Sequence, residues 1–220
     1  AHAIETFHAL SPEQVPALVD YDPDLFTLVL ERVPHSATVW KSDLLEGVIY
    51  PEIGAKLGLT LATWHNFGRS SEESRKKFSE DLLFEQLRIT PFYGTVAGKN
   101  PSLSPRIMGL VKELKSEKTT LVHGDFSPKN IMISEAQDIY ILDFEVTHTG
   151  NPVFDLAFLT AHLLCKFYRA QDSHKRGLLR QTAQDFLQAY DAKSEITHAP
   201  SLAWHTALIA LARVEGTSLV

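Results

Sequence analysis

Two short stretches of this chain hold residues whose types and spacing can do chemistry. Leu121-Val122-His123-Gly124-Asp125-Phe126-Ser127-Pro128-Lys129-Asn130 fits His-x-Asp followed five residues later by Asn, and Ile139-Tyr140-Ile141-Leu142-Asp143-Phe144-Glu145 ends an apolar run on Asp-Phe-Glu. A carboxylate delivered by a strand end can take the proton of a hydroxyl group. An amide oxygen and a second carboxylate can hold Mg2+ against the phosphates of a nucleotide. Together, 13 residues apart from Asn130 to Asp143 and joined by what reads as a β-hairpin, they predict phosphoryl transfer. Asp125 would be the base for the acceptor hydroxyl, and Asn130 and Asp143 would hold the metal on ATP. Glu145 would add a further carboxylate to that metal, directly or through water. The plainer alternatives are a turn-forming Gly-Asp with an Asn cap, a hairpin-end Asp143 and a solvated Glu145. A His/Asp metal centre of a hydrolase would need more histidines at ligand spacing.

The elements that must position these residues are legible in outline. Residues 1–10 read as a helix with no capping residue ahead of it, as the end of a longer helix would. Residues 15–21 and 25–33, around the turn Asp22-Pro23-Asp24, predict two antiparallel strands. The apolar run Leu25-Phe26-Thr27-Leu28-Val29-Leu30 predicts that the second is buried. Pro34 ends it, and the polar stretch through Ser36 and Thr38 reads as a connection between lobes. From Trp40 onward the pattern is mostly helical. Ile53, Leu57, Leu61 and Trp64 lie on one helical face, and Ser71-Glu72-Glu73-Ser74 opens a helix running to about Leu87 with Phe78, Leu82 and Leu83 inward. Residues 91–104 read as irregular, and Pro105 starts a helix through Lys115. Short strands are expected at 119–123, 130–134 and 139–142, and helices at 152–170, 173–190 and 200–213.

Composition narrows the class. At 220 residues the chain makes one to two domains with a sizeable core. Its 44 % hydrophobic and 22 % charged content is that of a soluble globular protein, and a formal charge of −6 argues against a nucleic-acid partner. Cys165 is the only cysteine, which excludes an internal disulfide or a cysteine-based zinc site and predicts a reducing compartment, the cytoplasm. No stretch reads as a membrane span or a charged apolar leader.

His-Gly-Asp-x-x-x-x-Asn, Ile-Leu-Asp-Phe-Glu and the helix opening Gly150-Asn151-Pro152-Val153-Phe154-Asp155-Leu156-Ala157 together resemble the aminoglycoside phosphotransferase and choline kinase group. The resemblance runs from Glu5 to the last helix. It implies a protein-kinase-like α+β fold: residues 1–35 as a remnant of the β-rich N-terminal lobe with the hinge, and residues 36–220 as a mostly helical C-terminal catalytic lobe. It further implies ATP and Mg2+, a small-molecule hydroxyl acceptor, Asp125 as catalytic Asp, and Asn130 and Asp143 as metal ligands. Glu31, Arg32 and Val33 fall where the group's inter-lobe hinge binds adenine through backbone groups. Glu5 falls where a small-lobe helix carries the Glu that pairs with the phosphate-binding Lys. The chain departs from the pattern in having no glycine before Gly47 and no lysine before Lys41, so the glycine-rich phosphate loop and its lysine are absent from it. Asn151 stands where relatives often have Asp.

Asp155 offers its carboxylate to backbone N–H groups of the catalytic loop, or simply caps its helix. Arg88 could meet an anionic acceptor or cap a helix C-terminus. His148, His162 and His205 receive no role. Only 11 residues separate Asp143 from Asp155, too few for a peptide-binding platform, so a small acceptor is expected. Aminoglycoside, sugar, amino alcohol and amino acid acceptors stay open. The rival from another class is a non-catalytic pseudo-kinase or nucleotide-binding module, against which intact Asp125, Asn130 and Asp143 argue.

Overall fold

Local chemistry explains most element boundaries. The computed structural model describes residues 1–194 and 200–215. Helix α1 (His2–Leu10) buries Ile4 and Phe7, and strands β1 (Leu18–Asp22) and β2 (Thr27–Leu30) follow as an antiparallel pair. The Asp22 carboxylate accepts the backbone N–H groups of Asp24 and Leu25, which closes the turn between them. Strand β2 is exposed along its whole length, and Phe26 beside it is 92 % exposed. The expected burial of this run is therefore wrong. The sheet has only two strands, and no described element covers its outer face.

The chain then pairs β3 (Thr38–Val39) onto a later hairpin and turns into α2 (Trp40–Glu46) and the long α3 (Glu52–Ser70). The four-and-three spacing holds: Ile53, Leu57, Leu61 and Trp64 are all fully buried. Helix α4 (Glu72–Lys77) is capped by Ser71, whose hydroxyl accepts the Ser74 N–H. It ends at Phe78, well short of the expected helix end near Leu87. Leu82 and Leu83 are exposed and Phe84 is buried instead, as the chain restarts in α5 (Leu82–Phe84).

The expected irregular stretch from Pro91 is also wrong. A π-helical segment, Glu85–Gly94, runs straight through Pro91 and leads into α6 (Thr95–Lys99) and α7 (Ser104–Ser116). Proline lacks an N–H and clashes with the carbonyl four residues back, here Leu87, so the wider turn relieves the strain. The Leu87 carbonyl is recovered by Arg88, whose Nη1 donates to it at 2.7 Å.

Strand β4 (Thr120–Val122) pairs with β7 (His148–Gly150), a strand the sequence reading did not foresee. Between them β5 (Ile131–Ile133) and β6 (Ile139–Ile141) form the expected hairpin, with Ile131 opposite Ile141. Helices α8 (Val153–Arg169), α9 (Ser173–Lys193) and α10 (Leu202–Glu215) complete the fold. Helices α3 and α9 pack backbone to backbone: a Cβ on Gly54 or Gly58 would meet the carbonyl oxygen of Thr182 or Phe186 at 2.2 Å. The core forms two clusters, one around Trp64, Phe126 and Phe144 and the other around Phe92, Phe154 and Phe158. In the first, Phe7 of α1 lies 4.5 Å from Trp64 and 5.2 Å from Phe144, so the N-terminal helix rests directly on the second motif. Each such buried aromatic is worth roughly 1.5–3 kcal/mol. The result is a mixed α+β fold, mostly helical, with a reduced β-rich N-terminal part. No helix among the described residues is long and apolar enough to cross a membrane.

Candidate active site

The first motif leaves β4 and folds into a tight loop that buries its carboxylate. Asp125 is 1 % exposed. Its Oδ2 accepts from Asn130 Nδ2 at 2.7 Å and lies 2.7 Å from Lys129 Nζ. Its Oδ1 sits 2.9 Å from Arg88 Nη2, too far off line to accept a hydrogen bond, and so keeps its lone pairs for another donor. Arg88 also gives its Nε–H to the Gly124 carbonyl at 2.7 Å, so the guanidinium fixes the loop backbone and its carboxylate together.

Asp155, in the first turn of α8, holds the same loop from below. Its carboxylate accepts the backbone N–H of His123 at 2.7 Å and of Gly124 at 2.9 Å, the loop-anchoring alternative of the sequence reading. His65 Nε2 lies 3.2 Å from Asp155 Oδ2, and His65 Nδ1 lies 2.9 Å from the Tyr190 hydroxyl. Burial alone would raise the Asp155 pKa, but His65 and the Gly124 N–H outweigh it and hold the carboxyl below its ordinary range. Burial pushes the His123 imidazole below its ordinary value against the pull of three nearby carboxylates.

The second motif meets the first through the hairpin. The Leu142 N–H donates to the Asn130 carbonyl at 2.8 Å, and the next residue, Asp143, turns outward with φ of 65°. That left-handed backbone is uncommon for a residue with a side chain and is tolerated best by Asn and Asp. Asp143 and Glu145 are both exposed, and both line a cavity of about 300 Å³ with Leu28, Leu30 and residues of α1. Asp125 opens instead onto a second cavity of about 310 Å³. Asn130 lies buried behind Asp125 and lines neither.

Oxygen donors for a hard cation are present. Asn130 commits Nδ2 to Asp125, which leaves Oδ1 available, and the Asp143 carboxylate has no partner among the described residues. No group of three or more His, Cys, Asp or Glu residues converges to hold a metal among the described residues. The donors fit an ion that completes its shell with phosphate oxygens and water, as Mg2+ does. Glu31, Arg32 and Val33 follow β2 but line neither cavity. The Glu31 N–H is already given to the Ala17 carbonyl at 2.8 Å, and Arg32 Nη2 lies 3.1 Å from His35 Nδ1. Glu5 pairs with His2 at 3.1 Å. Asn151 accepts the Val153 N–H at 3.0 Å and donates to Glu117 at 3.0 Å, so it opens α8.

The sequence profile of the phosphotransferase enzyme family matches residues 2–198. The chain belongs to this family. A methylthioribose kinase from Bacillus cereus (strain AH820) is 27 % identical over 211 residues, covering 80 % of this chain and 51 % of the relative. One from Pectobacterium atrosepticum is 24 % identical over 193 residues, covering 76 % and 48 %. The chain thus spans about half the length of these curated relatives. Among solved structures, an aminoglycoside-3'-phosphotransferase of type VIII superposes with a TM-score of 0.57 at 16 % identity, covering 94 % of this chain and 77 % of that one. A choline kinase from Streptococcus pneumoniae gives 0.52 at 19 % identity, covering 94 % and 68 %. A streptomycin–ATP–APH(2")-IIa ternary complex gives 0.51 at 15 % identity, covering 96 % and 71 %. The protein-kinase-like fold expected from the motifs is the fold of these phosphotransferases.

Several residues at this site carry no flag in the sequence. His65 arrives from α3, and Lys166 and Arg213 from α8 and α10; Arg88, from the π-helical segment, was weighed in the sequence only as an anion contact or a helix cap, not as a partner of Asp125. Lys129 stood inside the first motif, its spacing of four from Asp125 being the one available signal.

Proposed function

We propose that the protein containing this chain moves the γ-phosphoryl group of ATP to a hydroxyl of a small molecule. The observation that carries this reading is the Asp125 carboxylate, which is buried and lines a small cavity, with Oδ2 held by Asn130 and Lys129 and Oδ1 beside Arg88 but accepting no hydrogen bond. An acceptor O–H seated there gives its proton to Asp125. Its oxygen forms the new bond to phosphorus as the bond to the departing ADP oxygen breaks. Arg88 and Lys129 hold the carboxylate in place, so little rearrangement accompanies transfer.

Asn130, Asp143 and Glu145 are the residues that would hold Mg2+, which when bound would neutralise charge on the phosphates. The cavity between α1, β2 and the second motif suits the nucleotide, with Glu31, Arg32 and Val33 as the hinge toward adenine. Residues 1–35 then belong to the nucleotide side and residues 36–220 to the catalytic lobe. The family match supports a kinase, and so does the ternary complex that APH(2")-IIa forms with streptomycin and ATP. The single Cys165 supports a cytoplasmic setting. In the rival reading, a binding-only module, nothing requires an oriented base at Asp125.

Coupled detection of ADP release by the full-length protein across a metabolite panel is the test. Acceptor-dependent release that disappears in Asp125→Asn is expected. Mg-ATP binding with no turnover for any acceptor would favour the binding module.

A further inference from the structure

The cavity beside Asp125 carries more positive charge than Asp125 itself balances. Its walls carry five cationic side chains, Lys41, Arg88, Lys129, Lys166 and Arg213, against the one carboxylate of Asp125. Yet the whole chain carries a formal charge of −6. Arg88 and Lys129 are accounted for by their ion pairs with Asp125. Of the other three, Lys41 and Lys166, from α2 and α8, are surplus, and Arg213 of α10 adds a third positive group to the wall.

Lys166 is the decisive member. It is 4 % exposed and has neither a hydrogen-bond nor an ion-pair partner among the described residues. A lysine packed into the core with its ammonium at a cavity and no counter-charge beside it is costly and seldom kept without a use. Burial first, and Lys41 second, draw its pKa below the ordinary lysine range. Arg213 stacks on the rings of Phe92 and Phe158 at 5.2 and 5.9 Å and donates to His162 at 2.7 Å, which sets a guanidinium in a fixed pose on the cavity wall. His162 takes that donation as a neutral ring, its pKa pushed well down by burial and by four neighbouring cations. These cations converge on a space of about 310 Å³, at the small end of ligand sites. The cavity holding Asp143 and Glu145 shares no residue with it, so of a nucleotide seated there only the transferring phosphoryl group comes near these cations.

We propose that this cavity binds a small anion through Lys41, Lys166 and Arg213, and that the anion, a carboxylate or phosphate monoester, also carries the hydroxyl that is phosphorylated. The second half rests on the phosphoryl-transfer reading above; the first half does not. Aminoglycosides and other polycationic acceptors would be repelled by the same wall.

Calorimetric titration of the full-length protein with inorganic phosphate and with malonate, under saturating Mg-ADP, tests the anion site directly. Binding of at least one of them is expected. Lys166→Gln should weaken it by about tenfold or more, as loss of one charged contact predicts, while Lys112→Gln on the exposed face of α7 should leave it unchanged. Because Lys166→Gln removes an unpaired buried charge, the ligand-free variant should melt no lower than wild type, which separates lost binding from lost folding. No binding of either anion, or binding indifferent to Lys166→Gln, overturns the site. A matched hexose set then tests the acceptor: ADP release with gluconate or glucose 6-phosphate, and not with glucose or glucosamine, is expected, and the two anions separate carboxylate from phosphate. Turnover of glucose or glucosamine with both anions inert overturns the acceptor assignment. Failure of Mg-ATP to bind, with Lys166-dependent anion binding intact, would sink the transfer reading and leave the anion site standing.

Discussion

The Asp155 carboxylate accepts the His123 backbone N–H at 2.7 Å, 32 residues away in sequence, and so sets the height of the loop that carries Asp125. Asp155→Asn offers one oxygen in place of two and turns an NH2 toward a backbone N–H. The change takes a charged acceptor from the His123 and Gly124 N–H groups, at a cost of about 1.5–3 kcal/mol. Urea unfolding should show the loss as a lower midpoint. An unchanged midpoint would remove Asp155 from its anchoring place.

Asp125→Asn should abolish turnover and leave Mg-ATP affinity nearly intact, because the carboxylate faces the acceptor cavity and not the one lined by Asp143. Loss of a general base costs about 10²–10⁴-fold in rate. A variant with near-wild-type kcat would disprove the role.

Asp143→Ala should act on the other side. Its exposed carboxylate has no partner among the described residues, so stability should change by no more than about 0.5 kcal/mol. Nucleotide affinity in Mg2+ should fall, while affinity in EDTA should not. Equal ATP affinity with and without Mg2+ in the wild type would defeat the metal assignment of Asn130, Asp143 and Glu145 together.

Arg88→Lys should cost activity although it keeps the charge. A lysine cannot hold the Gly124 carbonyl, the Leu87 carbonyl and Asp125 at once, as Arg88 does. We expect kcat to fall more than KM changes. Parity with wild type would show that charge alone suffices.

Acid should weaken the fold before it protonates most carboxylates. His205 is buried against the Tyr93 hydroxyl at 2.8 Å, and burial lowers its pKa to about 4, with Glu113 opposing the shift. Burial depresses His123, His148 and His162 as well. A histidine whose folded pKa is depressed takes its proton more readily when unfolded. Its contribution is complete above the unfolded value of ~6.5 and declines as pH falls toward the folded value. For His205 the full loss is on the order of 3 kcal/mol. Urea midpoints should fall between pH 7 and pH 5, and less steeply in His205→Gln. A flat wild-type profile would contradict this.

The loop from His123 to Asn130 was legible because its chemistry is local. Asp125 and Asn130 are five residues apart, and a turn alone brings them within 2.7 Å. The hairpin that carries Asp143 follows from the alternation of Ile131, Ile133, Ile139 and Ile141, all buried. The basic cavity was not legible, because Lys41, Arg88, Lys166 and Arg213 meet only after α2, the π-helical segment, α8 and α10 have packed. Each taken singly is an ordinary surface-type residue in its own stretch. Pro91 misled for a different reason: it forbids an α-helical turn, and the sequence carried no sign that a wider turn would absorb it. The run from Leu25 to Leu30 has the composition of a buried strand, but composition does not say whether a covering element exists.

Gly54 and Gly58 make the gap between α3 and α9 narrower than any side chain allows, and the far ends of those two helices supply His65 and Tyr190 beneath Asp155. The spacing of two helices thus acts as a gauge block for a carboxylate that neither helix carries. A single methyl at Gly58 would reset that gauge, and the error would be read at Asp125 as a change in rate with no change in what the cavity touches.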